Sequence, residues 1–152
     1  MSIAWLVEFL KLSREELLRE EDSRGRLRVQ KAAYLLRYLG VHPFAKYDFS
    51  LYIRGPYSTE LAREYYSEKS EETTMPEIDR DILELLEWFM SHDDRWLEIA
   101  TSILMIREQY TKIKDREVLS ILRLSKPWIT DKEFREVYRE LRSKPRLRIH
   151  HS

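Results

Sequence analysis

The chain has 152 residues, 43% of them hydrophobic and 36% charged, with formal net charge zero and no cysteine. That length and balance suit one foldable domain and argue against disorder. The missing cysteine excludes disulfides, thiol chemistry and cysteine-bound zinc. The longest apolar run, Ile3 to Val7, is too short to span a bilayer, and no leader-like segment opens the chain. A cytoplasmic protein with no membrane partner is expected. Asn is absent and Gln occurs only at 30 and 109, while Glu and Arg are abundant, as a thermophile source favours. The charges are segregated: net +5 over residues 23–66, −8 over 67–98 and +6 over 99–152. Such blocks guide a charged partner, or neutralise one another within the fold.

From the N-terminus, Ile3 to Leu10 (residues 3–10) is apolar almost all round, which predicts a central helix or a homodimer interface. Ser13 with Glu16, Thr74 with Glu77 and Thr130 with Glu133 fit capping boxes, in which two side chains satisfy orphan backbone donors reciprocally. Residues 27–39 predict a helix stopped at Gly40. Ser58 or Thr59, Asp94 and Asp115 are further candidate caps, and Pro76 suits a first helical turn. Helical spacing then recurs in Ile78–Ile82–Leu85–Leu86–Phe89, Trp96–Ile99–Ile103–Ile106–Tyr110, Val118–Ile121–Leu122 and Phe134–Val137–Tyr138–Leu141. Residues 48–54 and 146–150 alternate instead, and the economical expectation is that these two strands pair. The chain is therefore expected to be mainly α: a single helical domain over residues 1–152, with six to eight helices, at most a minor two-stranded element and a winged-helix-like C-terminal third.

The densest feature is Tyr47, Tyr52, Arg54, Gly55, Pro56, Tyr57 and Ser58, a strand entering a Gly-Pro turn before a capped helix. Tyr and Arg combine contact area with hydrogen bonding, so this segment, flanked by Gln30 and Lys31, is a candidate protein-binding surface. The alternative is that its tyrosines wall the core. Gln30-Lys31-Ala32-Ala33-Tyr34-Leu35-Leu36, followed by Tyr47-Asp48-Phe49, Tyr52, Gly55-Pro56-Tyr57-Ser58 and Leu61, resembles the YwgA-like helical proteins of bacteria and archaea. More distantly it is similar to the Panacea domain of SocA-like antitoxins and proteolytic adaptors. The match covers about a quarter of the chain, residues 27–61. The resemblance implies a helical module acting through protein contacts without catalysis, with Gln30, Lys31, Tyr52, Gly55, Pro56 and Ser58 as its signature residues.

A second reading concerns residues 115–149, whose order of helix, turn, capped helix and strand follows a winged helix-turn-helix. Arg135, Arg139, Arg142, Lys144, Arg146 and Arg148 would then face phosphates, although Asp131, Glu133 and Glu136 lie at the front of that helix. A third reading is a structural homodimer. For an enzyme the sequence offers little: His42, His92, His150 and His151 have no histidine partner at helical spacing, and three glycines form no phosphate loop. Catalysis, metals and cofactors are accordingly not expected.

Overall fold

The computed structural model describes residues 2–52, 54–66 and 76–149. Among them are eight α-helices and one two-stranded antiparallel sheet. The helices are α1 (Ser2–Phe9), α2 (Arg14–Leu17), α3 (Arg24–Tyr38), α4 (Thr59–Tyr65), α5 (Arg80–Met90), α6 (Asp94–Gln109), α7 (Asp115–Ser125) and α8 (Asp131–Arg142); the strands are β1 (Ser50–Tyr52) and β2 (Gly55–Tyr57). None of the helices is long and apolar enough to cross a membrane.

Two helices organise the rest. α3 carries a continuous buried run from Val29 to Leu36, and α6 is buried from Trp96 through Ile106 apart from a half-exposed Glu98. The reason is that each has neighbours on more than one side. α3 touches α1, α2, α4, α5, α6 and β2, while α6 is clasped between α3 with β2 and α7 with α8. The single apolar stripe expected for α6 therefore widens to include Leu97, Ala100, Thr101, Ser102, Leu104 and Met105. α1 is not central. Only Ile3 and Leu6 are buried, while Trp5, Val7, Phe9 and Leu10 lie half-buried against the margin of the core.

Local punctuation works as side-chain chemistry requires. Ser13 and Glu16 form the full capping box of α2, at 3.1 and 3.3 Å. Ser58 caps α4 through the Leu61 N–H, and Thr130 caps α8 through the Glu133 N–H. Gly40 ends the turn after α3 with φ +77°, a conformation natural to glycine. Three starts differ from expectation. α5 begins at Arg80 under Asp79, which accepts from the Ile82 N–H at 2.8 Å; Thr74 lies outside the described residues. Asp93, one residue earlier than expected, caps α6. Asp115 is the first residue of α7, and Glu117 reaches back to accept from the Lys114 N–H.

The strand pairing also differs. β1 pairs with β2 in the register Ser50↔Tyr57, Leu51↔Pro56 and Tyr52↔Gly55, so Gly-Pro lies inside the hairpin's second strand and not at its turn. Residues 146–149 form no strand. Pro145 starts a short 3-10 turn over Pro145–Leu147, and Arg148 follows with φ +55°, which breaks an extended run. Leu147 is buried regardless, and the Tyr38 hydroxyl donates to its carbonyl at 2.6 Å, fastening the C-terminal segment to α3.

Candidate functional site

The junction of α3, the hairpin and α6 is assembled from polar side chains turned inward. Gln30 is wholly buried, and its amide clips one residue of the neighbouring chain from both sides. It donates to the Ser58 carbonyl at 2.9 Å and accepts from the Ser58 N–H at 2.8 Å. The buried Ser58 N–H, which lies beyond the strand pairing, is thereby satisfied, and the Ser58 carbonyl gains a second donor beside the Ala62 N–H. Gly55 has φ +104°, and a Cβ there would meet Thr101 Oγ1 at 3.3 Å and Ser102 Oγ at 3.5 Å. The strand can lie flush on α6 because residue 55 has no side chain.

Lys31, one residue along α3, is 3% exposed and donates to the Arg54 carbonyl at 3.0 Å. Burial lowers its pKa to about 8, with the Glu98 carboxylate opposing that shift. Lys126, also buried, is lowered by the same cause and opposed by the same Glu98. One carboxylate thus serves two desolvated ammonium groups and the Arg54 guanidinium, whose Nε stands 3.8 Å from it.

Above Lys31 opens a pocket of about 240 Å³. Arg28, Arg54 and Arg95 line its walls with Asp94, Glu98, Leu27 and Trp128. Arg28 is committed to Asp94 at 2.9 Å and to carbonyls at the end of α5. Arg95 makes a double hydrogen bond to Glu133 and stacks over the Trp128 ring at 4.1 Å. Trp128 is 40% exposed, and Leu124, in the last turn of α7, is 85% exposed. The result is a cationic hollow with a tryptophan–arginine rim.

The predicted binding residues divide sharply by burial. Gln30, Lys31, Tyr47, Gly55, Pro56 and Ser58 are buried and build the platform; of these, Lys31 is the one that lines the pocket. Tyr47 donates its hydroxyl to Glu64 of α4. Arg54 is exposed and Tyr57 half-buried, while the Tyr52 side chain lies outside the description. Arg28, Asp94, Arg95, Glu98, Lys126 and Trp128 were not expected here. They come from α3, α6 and the α7–α8 turn, and their only local signals, a helix cap and a Lys-Pro-Trp turn, do not say where they converge.

The six C-terminal cations are similarly divided. Arg142 pairs with Asp115 and lies over the Tyr138 ring, Lys144 lies over Trp88 at 4.5 Å, and Arg146 stands 3.6 Å from Asp79. Arg135, Arg139 and Arg148 are exposed. Of the acids at the front of α8, Asp131 is held by Arg123 and Glu133 by Arg95, which leaves Glu136 exposed. The strand that would serve as a wing is replaced by the 3-10 turn. His92, instead of facing a site, stacks on Trp96 and bridges the Phe89 carbonyl to Glu140 of α8. No family model, curated protein or solved structure matches this chain.

Proposed function

We propose that this chain is a non-catalytic protein-interaction module, antitoxin-like or adaptor-like as the YwgA-like and Panacea resemblance implies. It docks an acidic segment of a partner protein that also carries apolar side chains. The observation that supports this most is the exposed Trp128 beneath Arg95, placed at the lip of the pocket above Lys31. Tryptophan and arginine supply most of the energy at protein interfaces when they surround a pocket that can be desolvated. The lining is biased to positive charge, so an acidic partner is steered to it and a basic one repelled. Arg54 carries the role given to the hairpin; the buried residues around it hold it in place.

Binding to an array of short peptides of varied charge tests this. The expected result is an enriched set combining Asp or Glu with Leu or aromatic residues, lost in Trp128→Ala and in Arg95→Glu. An array without preference, or one unchanged by both substitutions, overturns the reading. Duplex DNA binding through α8 is the second reading, supported by exposed Arg135 and Arg139. It requires association that collapses steeply between about 50 and 200 mM salt.

A further inference from the structure

We propose that the floor of this pocket is a seat for one oxyanion of the partner peptide, held between the Lys31 ammonium and the Arg54 guanidinium. This rests on the interaction reading and names the group that the pocket recognises.

The argument begins with unused donors. A lysine ammonium has three N–H groups. Among the described residues Lys31 meets one hydrogen-bond acceptor, the Arg54 carbonyl, and no carboxylate in ion-pair contact. A buried charge left in this state is costly unless something completes it. The opposing carboxylates do not suffice. Asp94 is taken by Arg28, and Glu98 is shared among Lys31, Lys126 and an Arg54 that it approaches only to 3.8 Å. The Arg54 side chain is otherwise 61% exposed at the mouth. An oxyanion entering there would accept from Lys31 with one oxygen and from the guanidinium fork with another, the charge-assisted geometry that arginine favours. The hollow of about 240 Å³ is large enough to admit an acidic side chain or a chain end.

The shared chemistry can reach the seat as a chain-end carboxylate, a glutamate or a phosphoserine. Four short peptides of one apolar sequence separate these sources: amidated and neutral, free at the C-terminus, amidated with an internal Glu, and amidated with phosphoserine. The readout is the side-chain resonance of Lys31 in protein with isotope-labelled lysine, followed against pH. A seated oxyanion favours the ammonium, so the Lys31 midpoint should rise from about 8 by about one unit, towards 10.5. The neutral peptide should leave it in place. Whichever oxyanion peptide moves it identifies the source. Arg54→Ala, a substitution at an exposed hairpin position, should weaken that peptide by about two- to fivefold.

Equal movement with the neutral peptide overturns the proposal. So does no movement with any peptide up to about 10 mM, well above a weak Kd of about 1 mM. Unchanged affinity in Arg54→Ala also counts against the seat. If acidic–apolar peptides bind through Trp128 while Lys31 stays still, the seat falls and the interaction reading stands. If Lys31 answers an oxyanion while the arrays show no preference, it is the interaction reading that falls.

Discussion

The hairpin junction and the α7–α8 pair solve the same packing problem against α6 in opposite ways. α8 presents a stripe of Phe134, Val137, Tyr138 and Leu141 inward and leaves Lys132, Arg135, Glu136 and Arg139 outside. The polar groups of that outer face meet water, those at its margins (Glu133, Glu140 and Arg142) pair with Arg95, His92 and Asp115, and its burial follows helical periodicity. At the hairpin junction the polar groups face inward instead: Gln30 grips Ser58, Lys31 grips Arg54, and Gly55 leaves no gap over Thr101. Apolar contact is tolerant of exchange, whereas each inward polar group has one geometrical solution and a high cost when it is lost. The two regions should therefore respond very differently to substitution.

The largest effect is expected at Gly55. Gly55→Val must hold a β-branched residue at φ +104° and push its side chain into α6, so a loss of about 2–4 kcal/mol in urea unfolding is expected. A loss under about 1 kcal/mol would show that the hairpin can lift away, and the contrast with α8 would collapse.

Next is Gln30→Glu, which preserves shape but turns an oxygen towards the Ser58 carbonyl. About 2 kcal/mol should be lost at neutral pH, because a buried donor–acceptor match becomes a clash of acceptors. A neutral outcome would mean that water or another donor replaces the clip.

The pH dependence sharpens the comparison without altering shape. Lys31 has its folded pKa lowered to about 8 from 10.5, so between those values the unfolded state binds more protons and stability rises with pH. The rise is at most about 3 kcal/mol, and Lys126 adds to it in the same direction. Tyr34, Tyr38, Tyr65 and Tyr138 have raised pKa values, chiefly from burial, so they oppose the rise once unfolded tyrosine ionises near pH 10. Urea midpoints measured from pH 7 to 11 should pass through a maximum near pH 10. Lys31→Met should make the ascending limb shallower and leave the Lys126 share; an unchanged limb would place its origin elsewhere.

The smallest effects are expected on the outer face of α8. Arg135→Glu and Arg139→Glu should each change stability by no more than about 0.5 kcal/mol, since both side chains point to solvent. A larger loss would show that the outer face of α8 also carries polar contacts. The same variants should leave acidic-peptide binding intact, separating the pocket from α8.

The sequence by itself determined the helices and many of their ends. Ser13 with Glu16, Ser58, Thr130 and Gly40 act within three or four residues of themselves, and the α8 stripe is periodic, so both signals are local. It also marked residues 47–58 as dense in polar and aromatic groups, though the segment's folded role was not written there. Only the tertiary structure decided which of these face inward. Gln30 meets Ser58 across 28 positions and Lys31 meets Arg54 across 23, partnerships with no period to detect. α6 is buried on more than one face between Trp96 and Ile106 because neighbours arrive on both sides, which its own spacing does not encode. Residues 146–149 form no strand, and β1 instead finds its partner across a two-residue turn, where closing the loop costs least. The pocket belongs to the same class: α3, the hairpin, α6 and the α7–α8 turn each bring part of its wall, and their convergence exists only after the core has formed.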